Sequence, residues 1–274
     1  MDEAAGNLAG ALNGLEEGLL LVVTGAGVSS ASGVATFRGS EPDAVWKQSD
    51  MSLATFDYFL RDPVGQWQWY LQRFEALKAA RPNAAHQALV SLEKWQRERA
   101  GRFRLVTQNI DTLHEEAGSE EMIKVHGTCD RFRCSRAGCS LGSPTGSLPR
   151  DEVDLSAFVS EPTRETLPSC PVCESPLRAH VLFFDEYYTE HQDYRFAEVE
   201  EMAMAADLIL FVGTSFAVGV TDLFLQCGSR RSIPMYSVDP AASRFPQWAR
   251  LIALQAPAEE LLPAVCRQLG IGDS

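Results

Sequence analysis

The sequence predicts an α/β fold with a parallel sheet covered on both faces, and two observations carry that expectation. Short apolar runs, "LLLVV" at 19–23, "FRLV" at 103–106 and "LILFV" at 208–212, alternate with stretches of helical periodicity. The runs also end in glycine or polar turns, and polar side chains at the carboxyl ends of such strands usually face a ligand crevice.

In chain order, residues 8–18 read as a helix leading into the first apolar run and its glycine turn. A helix is expected at 64–80, then a break at "RPN" (81–83), then the helix "AAHQALVSLEKWQRE" (84–98) with apolar residues at helical spacing. The run "FRLV" passes into "TQNIDTLHEEAG" (107–118), where Gln108, Asn109, Asp111 and His114 crowd one turn. From 140 to 170, Ser, Pro, Gly, Thr and acidic residues dominate and only "FVS" hints at order, which marks an irregular insert or a small module. Beyond it the pattern predicts order at "HVLFFDE" (180–186), a helix near 194–205, a strand at 207–216, a helix near 220–230, the strand "IPMYSVD" (233–239) and a final helix near 258–269. No internal repeat is evident.

A chain of 274 residues suits one large domain, or a domain with a smaller companion. Its 37 acidic and 24 basic residues give a net charge of −13, so it offers no basic field to nucleic-acid phosphates or anionic lipid. The start "MDEAAGNLAG" lacks the basic region of a secretory signal and "LLLVV" is too short to span a bilayer. A cytoplasmic protein is expected, without nucleic-acid or membrane partners.

"GAGVSSASG" (25–33) follows an apolar strand and is expected to open a helix, an arrangement that presents backbone N–H groups to phosphate. Gly25 and Gly27 fit a dinucleotide fingerprint, but Ser30 stands where a third glycine belongs and no acidic strand end follows at the usual distance. An ordinary dehydrogenase is therefore disfavoured, and a glycine turn with no ligand stays open as the alternative.

Cys134 and Cys139 are separated by four residues, and Cys170 and Cys173 by two. Two close thiolate pairs bracketing a loop-rich segment point to one tetrahedral, structural zinc ion; the alternative is incidental buried cysteines. Such a closed site has no open position and takes no part in chemistry. Cys129, Cys227 and Cys266 fall outside the pattern and read as core filling.

Four motifs in order, "GAGVSSASGVATFRG", "TQNIDTLHEEAG", "HGT" (126–128) and "GTSFAVGV" (213–220), resemble the sirtuins, the NAD-dependent protein lysine deacylases, and the resemblance covers roughly residues 15 to 265. It implies a Rossmann-like doubly wound parallel sheet with a smaller domain made of a zinc ribbon and a helical insertion. The expected division is 1–50, 84–128 and 178–274 for the NAD-binding domain, with 51–83 and 129–177 for the small domain. The four-residue spacing of the first cysteine pair departs from the family's usual two.

The resemblance also assigns residues. Gly25, Ala26 and Gly27 would cradle the pyrophosphate, and Gln108, Asn109 and Asp111 would line the nicotinamide–ribose pocket. Phe37 and Arg38 would close the nicotinamide end, while Gly213, Thr214 and Ser215 would hold the adenosine side. Thr36, Asp239 and Ala256 complete the cofactor set, Asp239 standing where the family usually has asparagine. His126 would be the catalytic base, assisted by Asn109 and Asp111, since imidazole titrates near working pH. His86 and His114 read as packing or loop residues. The expected reaction moves an acyl group from lysine to ADP-ribose, releasing nicotinamide and O-acyl-ADP-ribose.

Tyr70 and Arg73 lie three apart on one helix and are therefore neighbours, and "WYLQR" resembles the Tyr-x-x-Arg motif of sirtuins that accept succinyl, malonyl or glutaryl lysine. An arginine and a phenol in an apolar tunnel would satisfy a carboxylate at the acyl tip; a solvated arginine on an amphipathic helix is the alternative. "HVLFFDE" resembles the peptide-binding strand, so Phe184, Asp185 and Glu186 are expected at the substrate lip, Asp185 replacing a common glycine. Partners are then acyl-lysine proteins or peptides, with oligomeric state open. The competing readings are an NAD glycohydrolase or mono-ADP-ribosyltransferase, and a non-catalytic sensor of NAD or O-acyl-ADP-ribose.

Overall fold

Residues 1–36, 45, 50–241, 245–246 and 248–272 are described by the structure, a computed structural model. Its strands are β1 (Leu19–Thr24), β2 (Arg102–Thr107), β3 (Met122–Lys124), β4 (Gly127–Cys134), β5 (Leu148–Pro149), β6 (Leu177–Val181), β7 (Leu208–Val212), β8 (Met235–Val238) and β9 (Leu251–Leu254). Six of them form a parallel sheet in the order β3-β2-β1-β7-β8-β9. The order reverses between β1 and β7, and an α/β sheet opens its ligand crevice at such a point.

Both faces of the sheet are covered, as continuous apolar strands require. Every residue of β1 is buried, and its alternation divides it between two cores. Leu20 and Val22 pack with Leu8 and Leu12 of helix Asp2–Asn13, Leu89 and Leu92 of helix Ala84–Glu98, and Leu261 and Val265 of helix Ala258–Gln268. Leu21 and Val23 pack on the other face with Val199 of helix Phe196–Ala205 and Phe224 of helix Gly219–Arg231.

A third core belongs to the smaller unit. β4 pairs antiparallel with β5 and β6, and the helix Pro63–Lys78 lays Trp67, Tyr70 and Phe74 against Phe132, Leu177 and Phe183. The indole Nε1 of Trp67 donates to the Leu177 carbonyl at 2.8 Å. The helical insertion and the cysteine-bearing segment thus share one core.

Several expectations shift. The first helix spans Asp2–Asn13 rather than 8–18, with Asp2 and Glu3 in its first turn, where negative charge complements the helix dipole. The glycine loop opens a 3₁₀ turn, Ala26–Ser32, ended by Gly33 in the left-handed region at φ 81°. Order at 180–186 is corrected to a strand ending at Val181, because Glu186 turns back to accept the Phe183 N–H at 2.9 Å. That strand joins the small antiparallel sheet instead of the parallel one. β3, β4, β5 and β9 are additional strands, β5 lying in the expected irregular insert, which also holds a short helix, Ser156–Ser160.

Candidate active site

The carboxyl ends of β1, β2, β7 and β8 open into a cavity of about 810 Å³. Its floor is made by two interlocked glycine turns. Gly25 N donates to Val212 O at 3.0 Å and Gly27 N to Gly213 O at 2.9 Å. A Cβ on Gly27 would stand 2.7 Å from the Gly213 Cα, and Gly213 itself holds φ 60°. Only hydrogen side chains let the turns close so tightly, leaving main chain as the cavity floor. Ala26, Thr36, Thr214, Ser215 and Asp239 join Gly25, Gly27 and Gly213 in the wall. Phe37 and Arg38 lie outside the described residues.

Gln108, Asn109 and His126 share that cavity. Gln108 Nε2 donates to Thr24 O and Thr214 Oγ1, both at 3.2 Å, so it bridges β1 and the turn after β7. A carbonyl can only accept, so the 2.9 Å contact between His126 Nδ1 and Gln108 O places the ring proton on Nδ1. Nε2 is then the basic nitrogen, 3.3 Å from the Tyr188 hydroxyl, whose ring stacks on the imidazole at 5.8 Å. Burial pushes the His126 pKa down to about 4, and the Gln108 carbonyl opposes this by favouring the protonated ring. Gly127 follows in the left-handed region at φ 79°, and a Cβ there would stand 2.2 Å from His180 O, so the imidazole sits at the tight start of β4.

Asp111 stands one layer behind the wall. Its Oδ2 accepts from Ser29 Oγ at 3.0 Å, its Oδ1 from Leu113 N at 3.1 Å, and Ser29 Oγ in turn accepts from Asn109 Nδ2 at 3.1 Å. The carboxylate holds the amide rather than sharing the cavity wall with it. Below this lies a histidine pair: His114 Nε2 meets Thr24 Oγ1 at 3.0 Å and its ring touches that of His86 at 4.8 Å.

At the other end, Trp69, Tyr70, Arg73, Val181 and Phe183 line the wall. Tyr70 stacks on Phe183 at 5.8 Å, and the Arg73 guanidinium lies 5.1 Å from the Trp69 ring centroid. Burial lowers the Arg73 pKa, with the Tyr70 hydroxyl raising it in part. Among the substrate-lip residues, Phe184 is on the wall, half exposed. Asp185 is corrected: its carboxylate caps the helix Phe56–Arg61, accepting from Phe56 N at 2.7 Å and Asp57 N at 3.0 Å. Glu186 reaches the wall, yet its carboxylate is engaged by two buried arginines, Arg133 at 3.0 Å and Arg178 at 2.9 Å. Burial raises the Glu186 pKa, but Arg178 and Arg133 together outweigh it and hold the group below its ordinary value. Ala256 is buried beside Pro257, Ala258 and Glu259, which carry the wall in its place. Reading the sequence missed Ser29, Trp69 and Tyr188; the "GAGVSSASG" motif contained a signal for Ser29 and the "WYLQR" stretch one for Trp69, whereas Tyr188 has none outside the fold.

Away from the cavity, the Sγ atoms of Cys134, Cys139, Cys170 and Cys173 gather within 4.8 Å of one another. Pair separations of 3.5, 3.6 and 3.7 Å match the roughly 3.8 Å between sulfurs of a tetrahedral zinc with bonds of about 2.3 Å. The donor set fits that ion, which would cross-link the two cysteine pairs.

Sheet order, strand-end glycine turns and a tautomer-fixed imidazole in one cavity define a Rossmann-like nucleotide-binding enzyme. The Sir2 family model matches residues 25–220, and the chain belongs to the Sir2 family. It is 34% identical over 252 residues to the NAD-dependent protein deacylase 2 of Corynebacterium efficiens, covering 91% of this chain and 92% of that protein. With the NAD-dependent protein deacylase of Thermus thermophilus it shares 37% identity over 198 residues, 72% of this chain and 69% of the relative. Among solved structures, a Sir2 homolog–NAD complex superposes with a TM-score of 0.77 at 30% identity, over 96% of this chain and 93% of that one.

Proposed function

We propose that the chain is an NAD-dependent protein lysine deacylase acting on acyl-lysine proteins or peptides. The observation that carries this reading is the single cavity in which the glycine floor, Asn109 and His126 Nε2 meet. NAD, as cosubstrate, supplies a glycosidic bond whose cleavage leaves a ribose carbon open to an acyl oxygen. The glycine turns, bare of side chains, let its pyrophosphate approach the main chain closely, and Gln108 and Asn109, held by Thr214 and Ser29, orient the nicotinamide side. His126 Nε2 takes the proton of a ribose hydroxyl as that oxygen attacks the acyl carbon, while Nδ1–H stays on the Gln108 carbonyl and steadies the imidazolium. Trp69, Tyr70 and Phe183 shield the acyl end while the ribose oxygen adds. The lysine amine then departs with a proton, one water adds to the acyl carbon in its place, and the acyl group leaves as O-acyl-ADP-ribose. The cysteine cluster binds a structural zinc ion, and its reduced thiols suit a cytoplasmic setting.

Replacing His126 by alanine is expected to abolish acyl transfer, monitored by loss of the acyl mass from a peptide, while NAD still binds in a calorimeter. An active His126→Ala enzyme would remove the assigned base.

For the acyl group, Arg73 at the aromatic end supports a preference for succinyl or malonyl over acetyl lysine, since a carboxylate in a desolvated site needs a guanidinium. Arg73→Met should lower kcat/KM for succinyl-lysine at least tenfold more than for acetyl-lysine, about 1.4 kcal/mol of selective recognition. Equal losses on both substrates would eliminate the clamp.

A further inference from the structure

We propose that His180, His191 and Asp193 form a second metal site, separate from the four cysteines, which takes a transition-metal dication such as Zn²⁺ through two imidazoles and one carboxylate. Their ligand atoms lie within 4.8 Å of one another. His180 Nε2 is 3.1 Å from Asp193 Oδ2, and His191 Nδ1 is 3.6 Å from the same oxygen. Ligands held tetrahedrally at about 2.1 Å from zinc stand roughly 3.4 Å apart, so both spacings suit a shared ion.

Two independent features point to a ligand. His180 is 1% exposed, yet its Nδ1 has no hydrogen-bond partner and its Nε2 faces only the Asp193 carboxylate at 3.1 Å, a costly state for a buried imidazole. His191 is oriented as metal-bound histidines are: its Nε2 donates to the Gly146 carbonyl at 3.1 Å, which leaves the lone pair on Nδ1, the nitrogen facing Asp193. Against the ion stand the Asp193 N–H, which donates to His191 Nδ1 at 3.2 Å, and the positive charges of Arg131 and Arg133. Glu186 offsets only part of the Arg133 charge, because it is shared with Arg178, and Asp193 brings the negative charge that a dication attracts. Asp193 is half exposed and gives the ion a way in and a solvent-facing position for water.

The fold gives the ion a task. His180 belongs to β6, whose Val181 pairs with Gly127 next to the catalytic imidazole, whereas His191 and Asp193 lie in the connection before helix Phe196–Ala205. A bound dication would pin that connection to the small sheet directly behind His126.

Titrating the full chain with Co²⁺ at neutral pH tests this. The expected result is one saturable equivalent with weak visible d–d bands and no thiolate-to-cobalt charge transfer; cobalt entering the cysteine cluster would show that charge transfer and be counted separately. Asp193→Asn and His191→Ala should each lose the weak-band equivalent and keep thiolate-site loading, the latter showing that the small sheet still folds. Absence of the weak-band equivalent in the parent chain, or its survival in both variants, would overturn the site.

Discussion

His126 donates Nδ1–H to the Gln108 carbonyl, so one nitrogen is fixed as donor and the other as base before any ligand arrives. With its pKa lowered from 6.5 to about 4, mainly by burial, the free enzyme holds a neutral base across the physiological range. The acid limb of kcat/KM assigned to His126 is therefore expected nearer pH 4 than 6.5, and a limb at 6.5 in a pH–rate profile would show a hydrated ring. Stability follows the same sign. For His86 and His114, whose pKa values burial also lowers, the unfolded chain takes up protons first. Their contribution is whole above pH 6.5 and is lost as pH falls below it, which urea midpoints from pH 7 to 5 will record as a decline. Ser29 stands inside the glycine motif, but its linking of Asn109 to Asp111 is a contact across the fold that the sequence does not display. Ser29→Ala leaves two buried polar groups unmatched, at about 1–3 kcal/mol, and should raise the KM for NAD about tenfold or more. An unchanged KM in steady-state kinetics would contradict the linkage.

At the scale of elements, the strands of the parallel sheet were legible because burial on both faces writes them as short apolar runs. The polar turn after β2 was legible for the opposite reason, as hydrophilic groups with nowhere to go but a crevice. "HVLFFDE" misled because its apolar residues suggest a long strand, whereas the chain turns after Val181 so that Glu186 can meet Arg133 and Arg178. Their partnership depends on β4 lying beside β6, a pairing that sequence spacing does not encode. Glu186→Gln would leave two buried guanidinium groups without their carboxylate, and is expected to cost roughly 3–5 kcal/mol, read as a lower urea midpoint. A variant as stable as the parent would mean that water reaches the arginines. Asp185 shows the same limit: capping the Phe56–Arg61 helix is a contact across 129 residues of chain, at Phe56 N.

Across the whole molecule, the cavity lies where the parallel sheet, the helical insertion and the small antiparallel sheet meet, so each contributes to one wall. The cysteine pairs announced the small unit, but its sharing of a core with helix Pro63–Lys78 appeared only in three dimensions. If zinc holds that unit, Cys170→Ser should speed amide exchange in residues 127–181 while β1, β2 and β7 keep their protection. Equal exchange in parent and variant would separate metal from fold. No helix among the described residues is long and apolar enough to cross a membrane. Cosubstrate and acyl-lysine are expected to react at the same imidazole, and product mass spectrometry decides this most directly. Incubation of the full chain with NAD and a succinyl-lysine or acetyl-lysine peptide should yield nicotinamide, unmodified lysine and O-acyl-ADP-ribose in equal amounts; ADP-ribose released at the same rate without peptide, or no NAD turnover on either peptide, would contradict it.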